Sequence, residues 1–175
     1  MKKPTKILSE EHKNILSVID ALNKECGALK SGEDLNIDFF EKTIDFIRNY
    51  ADKFHHAKEE DILFIELGKD SVQLPCNPIP QMLHEHNLGR QFVKGIEEGL
   101  IEKNKEKVIE NAEGYGQLLR EHIYKEDSIL YPMADEALTE SVQELMLIKF
   151  EEVENKKFGS AVKKKYLLIV EELTN

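Results

Sequence analysis

Apolar residues recur along most of the chain at intervals of three and four, the spacing of one face of an α-helix. Ile15, Leu16, Ile19 and Leu22 form the first such stripe. It follows Ser9, an N-cap residue type, with Glu11 and His12 in the opening turns, and runs to about residue 29 before Ser31-Gly32 ends it. A second stripe starts at Asn36 or Asp38, carries Phe40, Ile44, Ile47, Ala51, Phe54, Ile62 and Leu63, and fades at Gly68. Residues 73–80 hold Pro75, Pro78 and Pro80 and cannot be regular helix, so they read as the long connection between two halves. A third helix is expected over about 80–101, with Pro80 in its first turn, and a fourth over about 105–131, disturbed at its end by Pro132. Thr139 or Ser141 caps a fifth helix to about residue 154. Gly159-Ser160 interrupts, and a last helix ends near Leu173. Nothing reads as strand-rich. The pattern predicts an all-α, up-down-up-down four-helix bundle over about 5–135 with a C-terminal helical extension over about 139–173, in one domain spanning 1–175.

The two halves echo each other. The run His55-His56-Ala57-Lys58-Glu59-Glu60-Asp61-Ile62-Leu63-Phe64 aligns without gaps to His122-Ile123-Tyr124-Lys125-Glu126-Asp127-Ser128-Ile129-Leu130-Tyr131. Upstream of each lies an apolar residue, two spacers and Glu-His: Leu8 before Glu11-His12, and Met82 before Glu85-His86. Each half is therefore a Glu-His helix followed by a His-x-x-x-Glu helix.

Residues four apart lie one turn from each other on one helix face, so His-x-x-x-Glu aims an imidazole and a carboxylate at one point. Buried together they cost desolvation energy unless something compensates them, and a metal ion does so. Imidazole suits iron, zinc, copper and nickel. In the second helix the His55 face continues through Ile44, Ile47, Ala51 and Ile62, whereas the His56 face continues through Asp45, Arg48, Asn49 and Asp52. His55 and Glu59 are expected inward, and His56 and Glu60 at the surface or behind the site. His84 and His86 stand about 200° apart on a helix, and the face with Leu83, Met82, Val93 and Ile96 selects His86. His12 heads the first apolar stripe, and His122 shares its face with Tyr115, Leu118, Leu119 and Ile129. The expected metal ligands are His12, His55, Glu59, His86, His122 and Glu126: four imidazoles and two carboxylates, enough for two metals with open positions. Asp127 is the fallback for Glu126. Tyr115 is a candidate lining residue, and Arg90 a candidate partner for a carboxylate behind the site.

Composition narrows the function. The formal net charge of −10 opposes binding to phosphate backbones, so nucleic acid is not expected as a partner. Cys26 and Cys76 form no metal-binding spacing and suit free thiols in a cytoplasmic protein. The opening residues lead straight into polar, helix-forming sequence without a signal core. No apolar run approaches the roughly 18 residues of a membrane span, so no membrane is expected.

The motifs Glu-Glu-His12, His55-His56-Ala-Lys-Glu59-Glu60-Asp-Ile-Leu-Phe, Glu-His86-Asn-Leu-Gly-Arg90 and His122-Ile-Tyr-Lys-Glu126-Asp-Ser-Ile-Leu-Tyr-Pro together resemble the hemerythrin-like, HHE cation-binding family over about residues 5–135. The resemblance implies a hemerythrin-like bundle holding two irons per chain with an oxo or hydroxo bridge. Matched residue by residue, it implies the same six ligands. Oxygen-carrying hemerythrins have a second His one turn along the third helix. Here the neighbours of His86 are Met82 and Arg90. They also end on His-x-x-x-x-Asp, a spacing that His122 and Asp127 share. The missing His shifts the expectation from reversible oxygen carriage toward relatives that handle nitric oxide, peroxide or iron. The expected function is binding or reduction of a small oxidant, with oxygen, hydrogen peroxide or nitric oxide as the small-molecule partner. The other reading is a non-enzymatic module that binds, stores or senses iron or oxygen.

Overall fold

The computed structural model describes residues 3–175, all helical apart from connections and ends. Six helices follow in order. They are α1 (Pro4–Lys30), α2 (residues 37–67), α3 (Ile79–Glu102), α4 (residues 105–137), α5 (residues 140–158) and α6 (Gly159–Thr174). Asn36 caps α2 by accepting from the Phe39 amide, one of the donors a helix start leaves free. α1 begins at Pro4 rather than at Ser9. Proline is suited to a first turn, and Thr5 and Leu8 are buried within the added turns. The Ser9 hydroxyl is free to donate to Asp127 Oδ1 instead (2.5 Å).

α3 and α4 form a tight hairpin. Lys103 takes the left-handed conformation (φ 52°), and Asn104 caps α4 by accepting from the Lys107 amide. Gly99 is required at this corner, because a Cβ there would stand 3.0 Å from the Val108 nitrogen.

Two helices depart from α-winding where the sequence repeat lies. α2 is π-wound over Ile47–His56 and Glu59–Leu63, and α4 over Glu126–Leu130. Pro132 therefore falls just after a turn that closes i→i+5. Its missing N–H does not end the helix, which continues to Ala137.

The core is divided along the bundle axis. One apolar layer joins Ile15, Phe54, Val93 and Ile123; the other joins Leu8, Ile62, Met82 and Leu130. α1 and α3 run from the second layer to the first, and α2 and α4 run back, which is up-down-up-down topology. Between the layers each helix contributes its His and Glu residues. α5 and α6 close the side: Phe150 joins the second layer and Tyr166 packs on Phe46 and Tyr50 in the first. No helix among the described residues is long and apolar enough to cross a membrane.

Candidate metal centre

The polar layer collects the side chains that the sequence singled out. Among the described residues two buried groups form, one of His12, His55, Glu59 and Glu126, the other of His56, His86, His122 and Glu59. All six expected ligands lie in this layer, and His56 joins them. Asp127 does not enter the centre, and His84 is exposed on the outer face of α3.

The halves mirror each other across the two glutamates. His12 Nε2 and His55 Nε2 are 3.0 Å apart, and so are His86 Nε2 and His122 Nε2. Glu126 faces both halves, with Oε2 3.3 Å from His12 Nε2 and Oε1 3.1 Å from His122 Nε2. Glu59 Oε2 lies 3.8 Å from His55 Nε2 and 3.5 Å from His86 Nε2. Burial favours the neutral acid, yet the surrounding imidazoles hold both carboxyls below the usual range. Glu59 Oε2 and both Glu126 oxygens are buried without a hydrogen-bond donor, which ordinary cores almost never leave. Cations placed among these atoms would satisfy all three at once, so the donor set fits a metal site.

This arrangement has a counterpart among known proteins. Residues 3–134 match the hemerythrin HHE cation binding domain. The chain belongs to the hemerythrin HHE family. No curated protein and no solved structure matches it. Family membership implies cation binding, and the layer with its orphaned carboxylates fits a metal site.

Every imidazole of this hemerythrin-type layer has a carboxylate behind it. His55 Nδ1 faces Glu11 Oε2 (3.0 Å), and His122 Nδ1 faces Glu85 Oε2 (2.8 Å). The second oxygen of Glu11 accepts from Lys58, and that of Glu85 from Lys125. His86 Nδ1 faces Glu60 Oε1 (2.7 Å), His12 Nδ1 faces Asp127 Oδ1 (3.1 Å), and His56 Nδ1 faces Asp52 Oδ1 (3.4 Å). A carboxylate at Nδ1 fixes the tautomer and leaves the Nε2 lone pair for a metal. Arg90 donates to both Asp52 and Glu60, tying together the supports of His56 and His86. Glu11 with Glu85, Lys58 with Lys125, and Glu60 with Asp127 are equivalent positions of the repeat, so the duplication extends to the residues behind the ligands.

His56 is the chief correction. An α-helix turns about 100° per residue, so adjacent histidines diverge, and the polar stripe of Asp45, Arg48, Asn49 and Asp52 placed His56 outside. The π-winding of Ile47–His56 spreads one turn over more residues and narrows the angle between His55 and His56. Both are buried, and burial pushes both pKa values down, that of His56 to about 4. Glu60 takes the second of its two expected places, behind the site, where it supports His86.

Tyr131 was not anticipated either. Its hydroxyl donates to Glu59 Oε1 (2.5 Å) and lies 3.3 Å from His12 Nε2. Burial, and then the Glu126 and Glu59 charges, push the phenol well above its ordinary range. Tyr115 lines a cavity of about 380 Å³ beside His56, His86 and His122, and its own hydroxyl is buried without a partner.

Proposed function

We propose that the layer holds two irons and that the protein binds or reduces a small oxidant there: oxygen, hydrogen peroxide or nitric oxide. His12 and His55 would hold one ion and His56, His86 and His122 the other, with Glu59 and Glu126 shared between them. The ions supply electrons and an open coordination position; the chain supplies position, access and exclusion of water.

The observation that carries this reading is the cavity of about 380 Å³, which reaches only the second half. Gly89, Val93 and Leu119 give it apolar walls beside His56, His86 and His122. The unpartnered Tyr115 hydroxyl offers one more hydrogen bond in a cavity that sets these apolar side chains beside charged ones such as Asp52 and Arg90, a mixture able to orient a small ligand. At the outer end Arg48 and Glu97 pair across α2 and α3 (2.7 and 2.8 Å). On the opposite side the Tyr131 ring stacks on His12. A small uncharged oxidant thus has a sheltered way to one half.

Anaerobic reconstitution with ferrous iron followed by addition of hydrogen peroxide or nitric oxide tests the proposal. About two irons per chain are expected, with consumption of peroxide or a nitrosyl spectrum. Iron uptake that never exceeds trace levels would overturn it. A second reading, a non-enzymatic sensing module, draws on Lys58. That residue binds Glu11 behind His55 and also stands over the rings of Phe54 and, on α5, Phe150, so the C-terminal helices touch a support of the centre. Ligand binding without turnover would favour it.

A further inference from the structure

The two halves of the layer are equivalent in His12 and His86, His55 and His122, Glu59 and Glu126, and in the carboxylates behind them. They differ at two repeat positions that reach the centre. One is His56, whose counterpart is Ile123. The other is Tyr131, whose counterpart is Phe64. Phe64 lies parallel to the His86 ring (centroids 6.0 Å apart, planes 19°), and Tyr131 lies parallel to the His12 ring (5.5 Å, 10°). The aromatic ring is thus common to both halves, and the phenolic oxygen belongs to one alone.

We propose that Tyr131 is a metal ligand of the His12 and His55 half, through its phenolate oxygen. The proposal rests on the reading that this layer holds iron. Donors about 2.1 Å from one ion stand roughly 3 Å apart when they are neighbours in the coordination sphere. Tyr131 Oη meets that condition toward His12 Nε2, at 3.3 Å, and lies closer still to Glu59 Oε1, at 2.5 Å, to which the hydroxyl donates its proton in the absence of metal. His12 Nε2 in turn stands 3.0 Å from His55 Nε2 and 3.3 Å from Glu126 Oε2. His12, His55, Glu59 and Glu126 lie close enough together to hold one ion, and Tyr131 Oη adjoins two of them. The hydroxyl thus touches two of the donors that would hold this ion, one imidazole and one carboxylate.

The donor count agrees. His56 raises the other half to three imidazoles plus one oxygen from each glutamate. Tyr131 raises this half to two imidazoles, a phenolate and one oxygen from each glutamate. Each half then has five protein donors, and both departures from the repeat have the same consequence. On coordination the phenol O–H bond breaks, the proton leaves to solvent and the oxygen lone pair goes to the metal; no electron is transferred in that step.

The test uses the full-length chain reconstituted with ferrous iron and oxidised in air. Phenolate bound to ferric iron gives a broad visible charge-transfer band, and excitation within it enhances tyrosinate ring modes in the Raman spectrum. Wild type and Tyr115→Phe are expected to show both features. Tyr131→Phe is expected to keep its iron content and lose both, since the ring remains to pack on His12. Iron-loaded wild type without tyrosinate modes would overturn the proposal while leaving the iron reading intact, whether or not the variant folds. Modes that persist in Tyr131→Phe, or vanish in Tyr115→Phe, would also overturn it. A wild type that takes up no iron would overturn both.

Discussion

His56 lies flat against His86, with ring centroids 3.9 Å apart and planes within 14°. The two rings come from different helices and meet at the cavity wall. His56 is thus a fifth buried imidazole in a layer expected to hold four.

Removing it should weaken the cavity-side half selectively. His56→Ala is expected to retain about one iron per chain firmly and lose the other to a chelator, since one ion keeps His12 and His55. His84→Ala, on an exposed position, should match wild type. Iron content after dialysis against a chelator decides the matter. A His56→Ala protein that holds iron as wild type does would show that this imidazole only packs.

Glu59 and Glu60 are adjacent yet differ in role. Glu59→Ala removes an oxygen donor shared by both halves and should abolish binding of both ions. Glu60→Ala leaves the donors in place but removes the carboxylate 2.7 Å from His86 Nδ1 and one partner of Arg90. Losses of supports of this kind cost roughly 10- to 100-fold in metal affinity. Chelator competition should give that intermediate value. A silent Glu60→Ala would place the carboxylate at the surface after all.

Gly89 offers a way to narrow the cavity without harming the fold. A Cβ at this position would meet Leu119 and Tyr115 at 3.6 Å, ordinary contact. Replacing an interior helix glycine by alanine stabilises by roughly 1 kcal/mol. Gly89→Ala should therefore melt higher than wild type, bind the same iron and react more slowly with peroxide or nitric oxide. An unchanged rate together with a raised melting temperature would show that the ligand arrives elsewhere.

The metal-free chain should be most stable near pH 6.5. Burial works against the charge on His12 and His122, but the carboxylates beside them prevail and hold their pKa values up to about 9 and about 10. That stabilisation is complete below the ordinary value of 6.5 and is lost as pH rises through 9 and 10. Burial pushes His56 down to about 4 and lowers His55 as well. Their contribution is present above 6.5 and is lost as pH falls toward 4. Melting temperatures of the metal-free protein should fall on both sides of the maximum. With metal bound the imidazoles stay deprotonated, so the alkaline fall should disappear. An alkaline limb that is the same with and without metal would contradict this.

Much was legible in the chain itself. Helical periodicity determined six helices and their order, because each amphipathic helix must bury one stripe. Proline and glycine positions marked the connections after residues 30, 67 and 158. The repeat determined which Glu-His and His-x-x-x-Glu segments face one another, since duplicated segments of equal spacing fold alike. It also carried an unused signal. Lys58 and Lys125, and Glu60 and Asp127, are paired in the alignment and occupy matching places behind the ligands.

What the tertiary structure alone decided turns on winding and on the third dimension. Side-chain direction was inferred from about 100° per residue, a rule that holds only for α-turns. The π-turns of α2 depend on the hydrogen bonds the backbone adopts once packed, and composition does not encode them locally; they brought His56 inward against a polar stripe. Tyr131 belongs to an apolar stripe in sequence and reads as core. That its hydroxyl ends between His12 and Glu59 follows from the approach of α4 to α1 and α2. Residues 119 and 72 positions apart in the chain meet there, a relationship that no local pattern contains.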